Sequence, residues 1–162
     1  RVLDVKDEGL FDHACDLGLA FQLTNIARDV IDDHRNGRIY LPEQWLRDES
    51  LTPETMALPQ HRAALHRVAA RLLATAEPYY ESAARGIEAL PPRAAWAIGT
   101  AARVYRAIGD RVLAAGPAAW DERRVVPARE KSRLALSAGV GALWRRRAEP
   151  AARPAGLWSR PV

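Results

Sequence analysis

Cysteine is nearly missing from this chain: Cys15 is the only one. No intrachain disulfide can form, so the fold must rest on its core, and a reducing, cytoplasmic compartment suits it. Lysine is almost as scarce, with Lys6 and Lys131 the only two among 24 basic residues. That bias carries no functional weight. Glycine is sparse between the turns and alanine is abundant, which favours helix. No stretch alternates apolar and polar residues between hairpin turns, so strands are not expected and the fold class is all-α. No Gly-rich dinucleotide fingerprint can follow a strand where there is none. His13, His34, His61 and His66 show no zinc-ligand spacing. The longest uncharged run near the end, Leu134 to Trp144, has eleven residues and is too short to cross a bilayer. No signal peptide opens the chain. Residue 1 is arginine and the chain starts almost inside a helix, so upstream residues are expected.

The charge that is present is unevenly spread. The formal net charge is +4, yet residues 1–54 hold twelve acidic and six basic side chains, and residues 55–162 hold eight and eighteen. An acidic end and a basic remainder suit an anionic substrate held through metal, and equally a contact with an anionic membrane surface. The run 134–144, flanked by Arg133 and Arg145-Arg146-Arg147, could lie in such an interface, although packing on a bundle is the plainer reading. No recognition-helix, zinc or RNA-binding signature accompanies the basic charge, so no nucleic acid is expected.

Hydrophobic spacing and turn residues divide the chain into helices. Residues 8–36 read as one helix, with a break allowed near Gly18, and Asn36-Gly37 stops it. A short extended piece leads to a helical turn or two over 42–48. Thr52-Pro53-Glu54 reads as an N-cap with proline at the first helical position. Residues 60–86 form the next helix, buried through Leu65, Val68, Leu72 and Ala76, with Pro78 expected to kink it or end its regular part. Leu90-Pro91-Pro92 is a hard break. Residues 93–115 follow, with Ile98, Ala101, Ala102, Tyr105, Ile108 and Val112 on the buried side. A loop over 117–128 carries Trp120 and Arg124, and a last helix spans 129–147. Residues 1–147 are assigned to one helical domain and residues 148–162, with their prolines, to an irregular tail.

Within the first helix, Gln22, Asn25, Asp29 and Asp33 recur three and four apart and so share a face. Leu19, Leu23, Ile26 and Val30 form a second, apolar stripe. A solvated helical face usually mixes cations with anions, and this one holds no cation. Like charges four apart repel unless something cationic binds them. Side-chain oxygens open to a cleft suit Mg²⁺, which keeps waters and completes its shell with substrate phosphate. Asp12 and Asp16 form a further Asp-x-x-x-Asp. Asp16 lies thirteen residues from Asp29, about 20 Å along the axis, and more than a quarter turn away. That pair reads as a capping or surface pair.

The run Gln-Leu-Thr-Asn-Ile-Ala-Arg-Asp-Val-Ile-Asp-Asp from Gln22, followed by Gly-Arg-Ile-Tyr-Leu-Pro, closely resembles the second aspartate-rich motif of the squalene/phytoene synthase family. Weaker likeness continues through Ala-Arg-Val-Tyr at 102–105, Arg-Arg-Val at 123–125 and the ending Arg-Pro-Ala-Gly-Leu-Trp-Ser-Arg-Pro-Val. The resemblance implies the C-terminal part of an isoprenoid-synthase-type helical bundle, closest to the bacterial phytoene branch. It implies head-to-head condensation of two geranylgeranyl diphosphates through prephytoene diphosphate to phytoene, in carotenoid biosynthesis. A C30 enzyme making squalene or dehydrosqualene from farnesyl diphosphate, and an inactive fragment, are the alternatives.

By the same resemblance, Asn25, Asp29 and Asp33 bind Mg²⁺ or Mn²⁺, with no NADPH required. Asp29, Asp33 and Tyr105 serve the chemistry, and Gln22, Arg28, Tyr105 and Arg124 meet the isoprenoid diphosphate. For Arg28 the plainer alternative is an ion pair with Asp32, four residues on. For Tyr105 it is a core aromatic. Arg38 and Tyr40 fix the turn after the motif. The family's first aspartate-rich motif is missing from this chain and is expected on an upstream helix, so the chain by itself is expected to be inactive.

Overall fold

A computed structural model of the chain describes residues 8–122, 124–144 and 153–158. Five α-helices account for most of it: α1 Glu8–Arg35, α2 Glu43–Asp48, α3 Arg62–Glu88, α4 Pro92–Ala115 and α5 Ala128–Trp144. Short 3₁₀ turns at Pro59–His61 and Gly116–Trp120 join α2 to α3 and follow α4. No strand occurs among the described residues, so the chain is all-α, as its residue patterns predict. The long helices α1 and α3 pack along each other. α4 lies against both, and α5 packs on α4.

The helix ends follow from their residues. At the end of α1, Gly37 takes the left-handed conformation (φ 70°). Its N–H bonds His34 O at 3.0 Å, and Arg38 N–H bonds Asp33 O at 2.8 Å. That pair of bonds is a Schellman closure, and a residue with a Cβ would strain it. It fixes the helix end just beyond Asp33. Pro91 and Pro92 separate α3 from α4, with Pro92 at the first position of α4, where its missing N–H costs nothing. Gly116 (φ 59°) with Pro117 ends α4.

Several expectations change. α1 runs unbroken through Gly18, because that glycine is exposed and nothing presses on it. α3 continues through Pro78 for ten more residues. Thr52-Pro53-Glu54 does not start an α-helix. Thr52 O instead accepts from Thr55 and Met56, and its N–H bonds Thr55 Oγ1, closing one turn. On α4, Ile108 and Val112 are buried as expected. Ile98, Ala101, Ala102 and Tyr105 are only half-buried. The last helix is described to Trp144, and Arg145-Arg146-Arg147 lies outside the described residues. So does the proposed domain boundary at 147; residues 153–158 carry no helix.

The main core joins Ala27, Val30 and Ile31 of α1 to Leu65, Val68 and Leu72 of α3, and to Val112 of α4. Leu46 of α2 and Met56 of the following turn are fully buried in it. Each such side chain contributes about 1.5–3 kcal/mol relative to exposure. Trp120 seals one edge by donating Nε1–H to Ala27 O at 3.1 Å. The core-facing line of α1 is His13, Asp16, Ala20, Thr24, Ala27 and Ile31, all buried. Leu19, Leu23 and Ile26 are half-buried at its flank.

Candidate functional site

With Ala20, Thr24, Ala27 and Ile31 turned onto α3, residues 22, 25, 29 and 33 lie well round the helix from that contact. Gln22 is accordingly exposed, and Asn25, Asp29 and Asp33 are half-buried. The spacing thus does bring the amide and the two carboxylates onto one partly open face.

The surroundings of this face are unequal. Asp29 is held by its own neighbour. Arg28 donates Nε–H to Asp29 Oδ1 at 2.7 Å and Nη2–H to Asp29 Oδ2. Consecutive helical residues do not ordinarily face each other, so the guanidinium has swung round to form a fork on the carboxylate. Its pKa is raised above the usual value, mainly by that hydrogen bond. Burial opposes the rise, and the charges of Asp29, Tyr105 and Asp33 add to it. The alternative pair, Arg28 with Asp32, is not formed. Asp32 is instead bonded by Arg35 at 3.3 Å on the open surface.

Asn25 Oδ1 is buried and has no hydrogen-bond partner among the described residues. A buried acceptor left alone costs about 1–3 kcal/mol. It stands one turn from Asp29, as the carbonyl oxygen a cation would satisfy. Asp33 makes no side-chain hydrogen bond among the described residues. No group of three or more His, Cys, Asp or Glu side chains could hold a metal ion among them either. The face therefore offers two carboxylates and an amide.

Tyr105 of α4 stacks on Phe21, with ring centroids 4.1 Å apart and planes 23° from parallel. Together with Ala20, Ala76 and Tyr80 these rings make a second, smaller apolar cluster beside the stripe. Tyr105 is thus both the packed aromatic of the plainer reading and an aromatic wall near Arg28. Below it, Thr24 Oγ1 and Tyr80 Oη are 2.9 Å apart in the interior.

Arg124 is directed elsewhere. Its Nε–H bonds Ala119 O at 2.9 Å and its Nη2–H bonds Ala118 O at 2.5 Å, closing the 3₁₀ turn. Among the described residues no hydrogen bond or ion pair links it to Asn25, Asp29 or Asp33. Arg123 lies outside the described residues. Arg38 and Tyr40 are exposed in the turn after α1.

The reading of Asp12 and Asp16 as a surface pair is wrong for Asp16, which is fully buried. Ser82 of α3 donates Oγ–H to Asp16 Oδ2 at 2.6 Å, and His13 Nδ1 lies 2.8 Å from the same Oγ. Arg153 grips both carboxylate oxygens, with Nε–H to Oδ2 at 2.8 Å and Nη2–H to Oδ1 at 2.5 Å. The same Nη2 bonds Trp158 O at 2.5 Å, and Trp158 N–H reaches Tyr79 Oη at 3.3 Å. Every member of the cluster is spent on another, and Asp16, Ser82 and His13 are closed to solvent. It ties the tail to α1 and α3. The available sequence signal was positional: Asp16 falls on the line with Ala20, Ala27 and Ile31, which carries the core.

Comparison with known proteins agrees with the motif. The profile of the squalene/phytoene synthase family matches residues 1–131. A phytoene synthase from Pseudescherichia vulneris is 54% identical over 162 residues, all of this chain and 52% of that protein. A 15-cis-phytoene synthase from Enterobacter agglomerans is 53% identical, again over all of this chain and 55% of that protein. One from Paracoccus sp. is 47% identical over 161 residues, covering 52% of its length. The chain therefore spans about half the length of the curated relatives it matches.

Proposed function

Because the chain belongs to the squalene/phytoene synthase family, we propose that it is the C-terminal half of a phytoene synthase. This is a prenyltransferase that joins two geranylgeranyl diphosphates head to head, through prephytoene diphosphate, to phytoene. The relatives' names support the C20 product, and the observation that carries the site is the orphaned Asn25 Oδ1 beside Asp29 and Asp33. Two carboxylates and an amide fit Mg²⁺ or Mn²⁺, which take few protein ligands and keep positions for water and substrate phosphate. Such an ion supplies positive charge against the departing diphosphate.

The chain's own residues do the rest. Asn25, Asp29 and Asp33 would hold the ion from α1. Arg28 and the exposed Gln22 border that face and can donate hydrogen bonds to phosphate oxygens. The Phe21–Tyr105 stack presents aromatic surface where an allylic cation must be kept from water and can be stabilised by a ring. Arg124 acts at one remove, by holding the turn at 116–120 whose Trp120 fixes α1 at Ala27. The upstream half is proposed to bring the first aspartate-rich motif. Contact of α5 with an anionic membrane surface is a further part of this reading, supported by the exposed Leu136 and Val140 on that helix.

The test is made in the full-length protein. Asp29→Asn keeps size and shape and removes one negative charge from the face. Losing about 3–4 kcal/mol of preorganised stabilisation should slow product formation by roughly 10²–10³. Ile26→Val, three residues away on the half-buried flank, should cost only about 0.5–1.5 kcal/mol of stability. Assays with geranylgeranyl and farnesyl diphosphate, Mg²⁺ and no NADPH should yield phytoene from the former. Near-normal turnover by a folded Asp29→Asn protein would make the stripe a solvated face. A C30 product, or an NADPH-dependent reduced one, would move the chain to the squalene branch.

A further inference from the structure

Asp29 is already occupied. Both of its oxygens accept from the Arg28 fork, and the two side chains are only 16% and 23% exposed. Yet Asn25 Oδ1, one turn earlier, has no donor among the described residues. Among the described residues, the cation bordering this face thus serves Asp29 and not Asn25. We propose that Arg28 is a resident counter-ion which a divalent metal must displace from Asp29, so that Arg28 weakens binding of the metal alone and couples it to binding of diphosphate. This rests on the metal reading of the stripe given above.

The fork takes one lone-pair direction on each oxygen of Asp29 and sets a positive charge at that edge of the carboxylate, where an arriving cation would have to replace it. Once the ion arrives, the guanidinium faces a divalent charge at close range and is repelled. A displaced guanidinium keeps its planar set of donors and remains tethered beside the site, where a phosphate oxyanion is its best alternative partner. The ion and the anion therefore favour each other beyond their direct attraction. The metal releases Arg28 to the anion, and the anion removes Arg28 from the metal's ligand. Such coupling is reciprocal in binding free energy. Arg35 supplies the contrast. It carries the same charge on the same helix, but it pairs with Asp32, off the stripe, and its side chain is 70% exposed.

Binding of Mn²⁺ to the full-length protein, followed by electron paramagnetic resonance at fixed free Mn²⁺, tests this without any turnover. Wild type, Arg28→Gln, Arg28→Lys and Arg35→Gln would be compared, each with and without inorganic pyrophosphate. Arg28→Gln should bind Mn²⁺ alone more tightly, by about 5–150-fold, the usual range of coupling between two sites. Pyrophosphate should tighten Mn²⁺ binding in wild type and do so less in Arg28→Gln. Arg28→Lys, which keeps the charge but loses the fork, should fall between, and it carries the test if the glutamine variant fails to fold. Arg35→Gln should stay within about twofold of wild type, as screening allows for an exposed charge. Unchanged or weaker Mn²⁺ binding in folded Arg28→Gln would overturn the proposal while leaving the metal site standing. So would an equal gain in Arg35→Gln, which would reduce the effect to net charge. Failure of every protein to bind Mn²⁺, with or without pyrophosphate, would remove the metal reading together with the exchange.

Discussion

Replacing Arg153 with glutamine should destabilise this protein, because it strands a fully buried carboxylate. The Asp16 side chain has no exposure at all, whereas Arg153 retains 19%. Three charge-assisted hydrogen bonds reach the carboxylate, one from Ser82 and two from Arg153. Arg153→Gln leaves a buried anion with the serine alone. Breaking a buried pair from one side costs about 3–5 kcal/mol, and the partial exposure of Arg153 lets water soften the loss toward the lower end. Asp16→Asn is milder, because its amide oxygen still accepts from Ser82 and the stranded guanidinium can turn toward solvent. About 1.5–3 kcal/mol is expected there, the scale of one hydrogen bond to a charged group. The double variant should cost less than the sum of the two by at least about 1 kcal/mol, since the residues interact directly. Urea unfolding followed by circular dichroism gives all three values. The reasoning fails if Arg153→Gln stays within about 0.5 kcal/mol of wild type, or if Asp16→Asn is the more damaging change.

Two glycines on the helices should respond in opposite directions. A Cβ at Gly86 would lie 2.4 Å from His13 Cβ, so Gly86→Ala should lose about 1–3 kcal/mol by forcing α1 and α3 apart. Gly18 has nothing within 4 Å, and Gly18→Ala should gain about 0.5–1 kcal/mol from helix propensity. Burial pushes the Tyr80 hydroxyl up from 10.0 to about 12, against a smaller opposing effect of its bond to Thr24. The folded chain then holds this proton more tightly than the unfolded one. Its contribution is complete below pH 10 and lost as pH rises to about 12, so Tyr80→Phe should flatten the fall in urea midpoint across that window.

Much of the fold was legible because local rules and tertiary packing agree in it. The α1 stop at Asn36-Gly37, the Pro91-Pro92 break and the Gly116-Pro117 end each depend on one or two residues with a single conformational preference. Packing overrode local preference where the two disagreed. α3 passes through Pro78 with buried side chains on both sides of it, Ala76 before and Tyr80 after. Those contacts outweigh the lost hydrogen bond that propensity alone would count. At Thr52-Pro53-Glu54 the capping residues are present, but Pro59 follows too soon for a helix to develop. On α4 the apolar positions before Ile108 were expected to be covered, and the described elements cover only the second half of that face.

The candidate site was legible in its spacing and not in its pairing. Periodicity placed Asn25, Asp29 and Asp33 on one face. It could not foresee that Arg28 would reach its own neighbour rather than Asp32, because that choice depends on partial burial of the fork. The Asp16 cluster was illegible for a related reason. An acidic residue near a helix start reads as exposed, since a buried carboxylate without a partner is prohibitively costly. Here the partner lies 137 residues away, in a tail that composition alone describes as irregular. Yet the line His13, Asp16, Ala20, Thr24, Ala27, Ile31 is continuous at helical spacing. Asp16 cannot leave that line without taking Ala20 off α3. Once Ala27 and Ile31 are committed to the core, a charge at Asp16 demands a buried cation, and the chain has to supply one from elsewhere. Polar residues on an otherwise apolar helical line are therefore better evidence of a distant tether than of a helix cap.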